Sequence, residues 1–188
     1  GSVVNPTSGF SQWYVAEGGH SAAGSEVDLL RLTANFGMVT SLGERQRLVT
    51  RASLGAAFLP EEDRQELAPS LNFFAGGSQS IRGYAYQSIG NEVEVEGDDG
   101  QVRTLVVGGD RLATASVEYQ YSINPNWRAS VFVDAGDAFD EGQFDLNVGA
   151  GFGVHYVTQI GAIRLELANP VTDDNPTWRV HLAVGAEF

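Results

Sequence analysis

Three stretches of this sequence carry residue types that could do chemistry. The stretch "GGSQSIRGYAY", residues 76–86, places one arginine, Arg82, in a region otherwise dominated by acids. A guanidinium can fork onto carboxylates in two parallel hydrogen bonds. His155 and His181 could each act as a base beside a serine or an aspartate. The acidic stretch "NEVEVEGDDG", residues 91–100, could hold Ca²⁺ through its carboxylates. What these residues do depends on the elements that position them.

The composition sets the first limits on function. The chain has 188 residues, 43% of them hydrophobic and 19% charged, which predicts one domain with a sizeable core. Its net charge of −13 excludes nucleic acid as a partner, because phosphate contacts need clustered Lys and Arg. The absence of cysteine excludes disulfides, thiolate nucleophiles and zinc knuckles. No apolar run approaches the roughly 18 residues of a spanning helix, so a membrane role would need strands.

Apolar and polar residues alternate with the period of a β-strand through most of the chain. In "PTWRVHLAVGAEF", residues 176–188, the even positions from Trp178 onward are apolar and most odd positions are polar or glycine. The stretch 9–18 is ambiguous. The same pattern predicts eight strands, at about 9–18, 27–38, 45–58, 115–121, 127–136, 144–156, 162–168 and 176–188.

Alternation alone does not say which face of these strands is wet. Strand lengths suited to a tilted bilayer crossing, aromatic residues near strand ends, and short connections alternating with long ones predict an all-β fold, an antiparallel transmembrane β-barrel. A soluble sandwich or lipocalin-like cup is the alternative. Charges on the polar face must then line a wet or self-paired lumen, because a lone Arg or Lys facing lipid costs about 2–4 kcal/mol at mid-bilayer. They are Arg31, Arg47, Arg51, Glu118, Arg128, Asp134, Arg164 and Glu166.

The connection from about Leu59 to Gly109 is far longer than an ordinary hairpin loop. An eight-stranded barrel is filled by its own side chains, so a loop of this size could fold inward only in a barrel with more strands. We therefore expect the eight strands to be part of something larger. The leading Gly1 and Ser2 look like an expression scar, in keeping with a fragment.

The stretch "FFAGGSQSIRGYAYQSIG", residues 73–90, resembles the sixth extracellular loop of the BamA/TamA/FhaC superfamily of outer-membrane assembly and secretion factors. The loop tip of that superfamily reads Val/Ile-Arg-Gly-Phe/Tyr. "ASVEYQY", "VFVDAGDAF" and an aromatic-terminated last strand follow in the same order. From about residue 27 onward the chain is most similar to the TamA-like branch. The resemblance implies strands nine to sixteen of a sixteen-stranded barrel, with the N-terminal POTRA domains and the first half-barrel outside this chain.

The resemblance also implies which residues matter. The tip would be Ile81, Arg82, Gly83 and Tyr84, folded into the lumen, where Arg82 pairs with Asp134 and, by a weaker match, with Glu118. The remaining motif positions are Phe132 and Gly136 on the barrel wall, and Trp178, Val180, Leu182, Val184 and Phe188 of the C-terminal strand signal read by the barrel-assembly machinery.

The function that the resemblance implies is insertion or translocation of other barrel proteins, such as autotransporters, in the outer membrane of Gram-negative bacteria. A client strand would pair at a weak seam between the first and last strands. The expected partners are outer-membrane lipid, client barrel proteins and, for the full-length protein, a TamB-like inner-membrane partner. No cofactor, metal or catalytic residue is expected.

Two other classes of function stay open. One is a small autonomous eight-stranded barrel with a structural or binding role. The other is an outer-membrane enzyme using His155 or His181, although no nucleophile motif accompanies them and structural hydrogen bonding is the preferred interpretation. Residues 91–100 do not match EF-hand spacing, and a solvated acidic loop is preferred there. A half-barrel has two unpaired edges, so it would close on itself as eight strands, form a homodimer of half-barrels with sixteen, or adopt some other assembly.

Overall fold

The protein is all-β. The computed structural model describes residues 8–19, 28–59, 71–97 and 100–185. No helix in these ranges is long and apolar enough to cross a membrane. The strands in these ranges are β1 (Gly9–Gly19), β2 (Leu29–Ser41), β3 (Gln46–Phe58), β4 (Asn91–Glu96), β5 (Val102–Gly108), β6 (Arg111–Ser122), β7 (Trp127–Phe139), β8 (Asn147–Thr158), β9 (Gly161–Pro170) and β10 (Arg179–Gly185).

Eight of these strands form one antiparallel sheet in the order β1-β2-β3-β6-β7-β8-β9-β10. Each sheet neighbour is the next strand of the sheet along the chain, as in an up-and-down barrel wall. The eight predicted strands and the antiparallel barrel class are confirmed, including the ambiguous first strand. Among the described residues, β1 and β10 each pair with one neighbour and form the two edges.

The exposure of the two faces is the reverse of that in a soluble sandwich. Val133, Phe152 and Leu165 point to the apolar face and are 51%, 52% and 49% exposed. Glu118 and Asp134 point to the polar face and are 3% and 0% exposed. A soluble sheet would bury the first set, whereas a barrel wall turns it toward lipid. The polar face, defined by the row containing Glu118 and Asp134, is therefore the inner face.

The connections alternate in length as the sequence predicts. The turns after β2, β6 and β8 are short, whereas those after β1, β3, β7 and β9 are longer. Trp127, which begins β7, packs on Tyr156 near the end of β8 with ring centroids 5.0 Å apart. These aromatic residues lie beside the short turns, where an interfacial girdle is expected.

The long connection after β3 contains more structure than the sequence predicted. Its second part is a two-stranded hairpin, β4 with β5, where the sequence predicted a solvated acidic loop at 91–100. In the run "NEVEVE" valines alternate with glutamates, which is strand period despite the acidity. The strand residues after Asn91 are solvent-exposed, as expected for a solvated acidic segment.

We predict that this chain, refolded alone in detergent, is a dimer. Unpaired backbone groups on β1 and β10 cannot face lipid, and an eight-stranded closure would leave no room inside for the loop that lies on the polar face. Sedimentation or light scattering corrected for detergent should therefore give twice the chain mass of 20.1 kDa. A single-chain mass with the loop still protected from protease would contradict this.

Candidate functional site

The described part of the loop between β3 and β4, residues 71–90, lies on the polar face of the sheet. Bridges between Phe73 and Gly109 and between Ala75 and Ile89 close its base. A small apolar core joins it to the ends of β3 and β7; this core consists of Ala57, Phe73, Ala75, Ile81, Tyr84, Ile89 and Ala138. The tip residues Ile81 and Arg82 are both 0% exposed. The loop is thus packed against the wall and is not a free surface loop.

Arg82 extends from the tip into a cluster of acids contributed by three strands. Its Nε and Nη2 donate to the two carboxylate oxygens of Asp134 at 2.7 and 2.8 Å, the fork geometry of a bidentate pair. Its Nη1 donates to Glu118 at 2.7 Å and to Glu166 at 2.8 Å. Its backbone N–H donates to Asp134 as well, at 2.9 Å. The structure therefore brings together the three residues that the resemblance had paired.

Two further residues complete the cluster, and neither had been assigned to it from the sequence. Glu166 on β9 was placed on the polar face by alternation but was not recognised as a partner of Arg82. Ser116 on β6 accepts from Arg82 Nη2 at 3.3 Å and donates to Asp134 at 2.6 Å. The alternation in "AIRLELA" indicated that Glu166 lies on the polar face. Its distance from Arg82 could not be predicted in the same way, because that distance depends on which strands are neighbours in the sheet.

The surroundings keep Arg82 charged. Burial alone would lower the pKa of Arg82, but the hydrogen bond and charge of Asp134, together with the charges of Glu118 and Glu166, raise it above its ordinary value. The Arg82 Cζ atom also lies 3.4 Å from the centroid of the Phe132 ring, a cation–π contact. One buried guanidinium thus contacts three carboxylates and one aromatic ring.

The rest of the tip contacts the strands beyond the acid cluster. The Gly83 N–H donates to Nε2 of His181 on β10 at 2.9 Å. Gly83 has φ of +97°, and a Cβ there would lie 2.8 Å from the carbonyl carbon of Asn169, so both conformation and space require glycine. The Tyr84 hydroxyl lies 2.8 Å from that of Thr172, in the connection between β9 and β10.

The other motif positions lie on the wall and on the last strand. Gly136 is inside β7 with φ of +149°, and a Cβ there would lie 2.6 Å from the Cα of Thr114 on β6. Phe188 lies outside the described residues. The remaining residues of the C-terminal strand are more than half exposed on the apolar face; these are Trp178, Val180, Leu182 and Val184.

The histidines are placed for hydrogen bonding. His155 is 0% exposed, and its Nε2 lies 3.2 Å from the Ser130 hydroxyl. This serine–histidine pair is sealed from solvent, which leaves a substrate no access. His155, Glu118 and Glu166 are near enough together to suggest a metal site. The two carboxylate oxygens nearest His155 Nε2 already have hydrogen-bond donors, because Glu118 Oε1 accepts from Gln120 and Glu166 Oε1 accepts from Arg82.

The comparison with known families now identifies the fold. The Omp85 superfamily domain matches residues 1–188. The chain belongs to the Omp85 superfamily. Members of this superfamily are bacterial outer-membrane proteins, and this Omp85 chain is therefore an outer-membrane β-barrel protein. The superfamily is not a family of enzymes.

A solved structure similar to this Omp85 chain is that of BamA from Haemophilus ducreyi lacking POTRA domains 1–3. The two share a TM-score of 0.79 at 21% sequence identity. The match covers 96% of this chain and 39% of the BamA chain. The likeness shows a shared barrel fold, and this chain spans well under half the length of that protein.

Proposed function

We propose that this Omp85 chain is the C-terminal half of a TamA-like barrel that inserts or translocates other barrel proteins. On this proposal residues 1–188 supply strands nine to sixteen, 59–109 form the extracellular loop, and POTRA domains and a first half-barrel belong to the full-length protein. Superfamily membership and the order of the sequence motifs support it. The clients would be autotransporters or other barrels, and a TamB-like inner-membrane protein would be the partner.

The observation that carries this proposal is the docking of the tip motif, Ile81 to Tyr84, on the polar face of the strands that follow it in the chain. Arg82 ties the loop to β6, β7 and β9, and Gly83 ties it to β10, which is hydrogen-bonded to β9 along Arg179–Gly185. In the full-length barrel the outer edge of β10 would lie at a weak seam with the first strand, and an opened edge offers a row of backbone donors and acceptors to an incoming strand. The mechanism would be templating of a client strand on that edge.

No covalent step is required for such templating. Each client strand exchanges water for backbone hydrogen bonds with β10, and the apolar side chains of β10 keep the growing wall at the depth of the lipid. The cluster around Arg82 would hold the loop and stiffen the wall behind the moving edge. Local disturbance of the bilayer beside the edge would lower the barrier to insertion.

The test is a site-specific cross-link during client insertion. Residues 1–188 contain no cysteine, so Leu182→Cys places a single thiol in this part of the barrel. The variant would be made in the full-length protein with any cysteine outside these residues replaced, and reconstituted in vesicles with an autotransporter barrel whose edge strand carries a second cysteine. Strand pairing brings Cα atoms within the 4.4–6.8 Å that a disulfide typically needs. We expect a cross-link that appears as the client inserts.

The matched control is Val131→Cys, on the same apolar face but on β7, which is paired on both sides. It should give no cross-link. Equal cross-linking at both positions, or client insertion at the rate of empty vesicles, would contradict assembly activity and favour an autonomous barrel with a structural role.

A further inference from the structure

The hydrogen bond between the loop tip and the last strand has a chemical requirement. Gly83 donates its N–H to Nε2 of His181, so that nitrogen must carry a lone pair and the ring proton must be on Nδ1. The bond joins residues 98 positions apart in sequence. It attaches the tip to β10, an edge strand whose strand partner in the described structure is β9.

We propose that His181 is a positioning residue that couples the loop tip to the last strand, and that protonation of its ring releases this coupling. The part concerning client entry rests on the proposed function, in which β10 is the templating strand. The coupling itself is a property of the fold and can be measured without a client.

The charged groups around His181 determine what its protonated ring would contact. Glu166 on β9 is its direct cross-strand neighbour. Arg82 of the tip and Asp134 of β7 also face it, and Arg179 is the charged neighbour on its own strand. An imidazolium has no acceptor for the Gly83 N–H, and it is attracted to the Glu166 carboxylate. Because that carboxylate accepts from Arg82 Nη1 at 2.8 Å, a protonated His181 competes with Arg82 for the same group.

Protonation therefore weakens two hydrogen bonds that hold the tip on the wall, that of Gly83 to His181 and that of Arg82 to Glu166. Histidine is the side chain that normally changes charge between pH 5 and 8, so we look for the release in that range. The coupling is also reciprocal, as any linkage between two equilibria must be. If β10 moves away to admit a client strand, Gly83 loses the acceptor of its hydrogen bond. If instead the tip leaves the wall, His181 and β10 lose their attachment to the loop.

The test uses a thiol probe at the tip of the cysteine-free chain. Ile81→Cys puts a thiol at a position that is 0% exposed, so it reacts with a maleimide only when the tip undocks. Glu141→Cys, in the exposed connection after β7, corrects for the pH dependence of the reagent. We expect the corrected rate to rise about tenfold from pH 7.5 to pH 5.5, as for loss of one partly buried hydrogen bond.

Three variants separate His181 from other titrating groups. His181→Gln cannot be protonated and keeps an acceptor, so it should stay slow at both pH values. His181→Ala has no acceptor and should be fast at both. His155→Gln alters the fully buried histidine, which does not contact Gly83, and should keep the pH response. All variants are compared at equal folded fraction, measured by the difference in electrophoretic migration between unheated and heated samples.

A pH response that survives in His181→Gln, or that disappears in His155→Gln, would overturn the proposal. A flat rate in the parent chain would overturn it as well. None of these outcomes bears on client insertion, so failure of the coupling and failure of the proposed assembly function are read from separate experiments.

Discussion

Replacing Arg82 with alanine should release the loop tip from the barrel wall while the eight-stranded sheet still forms. The substitution leaves Asp134, Glu118 and Glu166 as buried carboxylates without the cation that all three now contact. Removing one partner of a buried ion pair typically costs about 3–5 kcal/mol, which would shift the docking equilibrium by on the order of 10²-fold or more. The sheet keeps its backbone hydrogen bonds, so the loss of free energy destabilises the docking of the loop and not the sheet.

Limited proteolysis with chymotrypsin measures this release. Phe73 and Tyr84 are 3% and 8% exposed in the docked loop and should become cleavage sites when it leaves the wall. Arg82→Lys restores one charge without the planar fork, and it should give intermediate protection. Arg45→Ala removes an exposed arginine from the turn after β2 and should change nothing. Unchanged cleavage between residues 70 and 105 in Arg82→Ala would contradict the anchoring role.

Adding a single methyl group at Gly149, on the barrel wall, should also undock the tip. Gly149 on β8 is the register partner of Asp134, and a Cβ there would overlap the backbone carbonyl oxygen of Arg82. A Cβ is fixed in place by the β8 backbone and the carbonyl oxygen of Arg82 is itself backbone, so neither can rotate away. Overpacking of this kind typically costs about 1–3 kcal/mol, and here it would also lengthen the bonds between Arg82 and Asp134.

Gly149→Ala is expected to raise chymotrypsin cleavage at Phe73 and Tyr84 by about tenfold, in keeping with that cost. Gly43→Ala is the matched control, because a Cβ at Gly43 in the turn after β2 meets no atom within 4 Å. Wild-type protection in Gly149→Ala would show that the tip does not rest on β8 as the structure has it. Because this variant keeps all the charged residues, it separates steric docking from the ion cluster.

The local pattern of the sequence determined the strands and their faces. Alternation with period two needs no information beyond a few neighbouring residues, and it placed Glu118, Asp134 and Glu166 on one face. The tip motif and "FVDAG" pointed to Arg82 and Asp134 through resemblance, and the structure places these two in contact. The barrel class and the superfamily followed from the same stretches.

Tertiary structure alone decided which polar-face residues reach the tip. Arg82 and Glu166 are 84 positions apart, and Gly83 and His181 are 98 apart, so their contacts depend on strand order, register and the inward path of a long loop. The hairpin β4–β5 was likewise missed, because an acidic run with strand period becomes a strand only when a partner lies beside it. The sequence could assign a residue to a face, but distances across that face arise from the folding of the whole sheet.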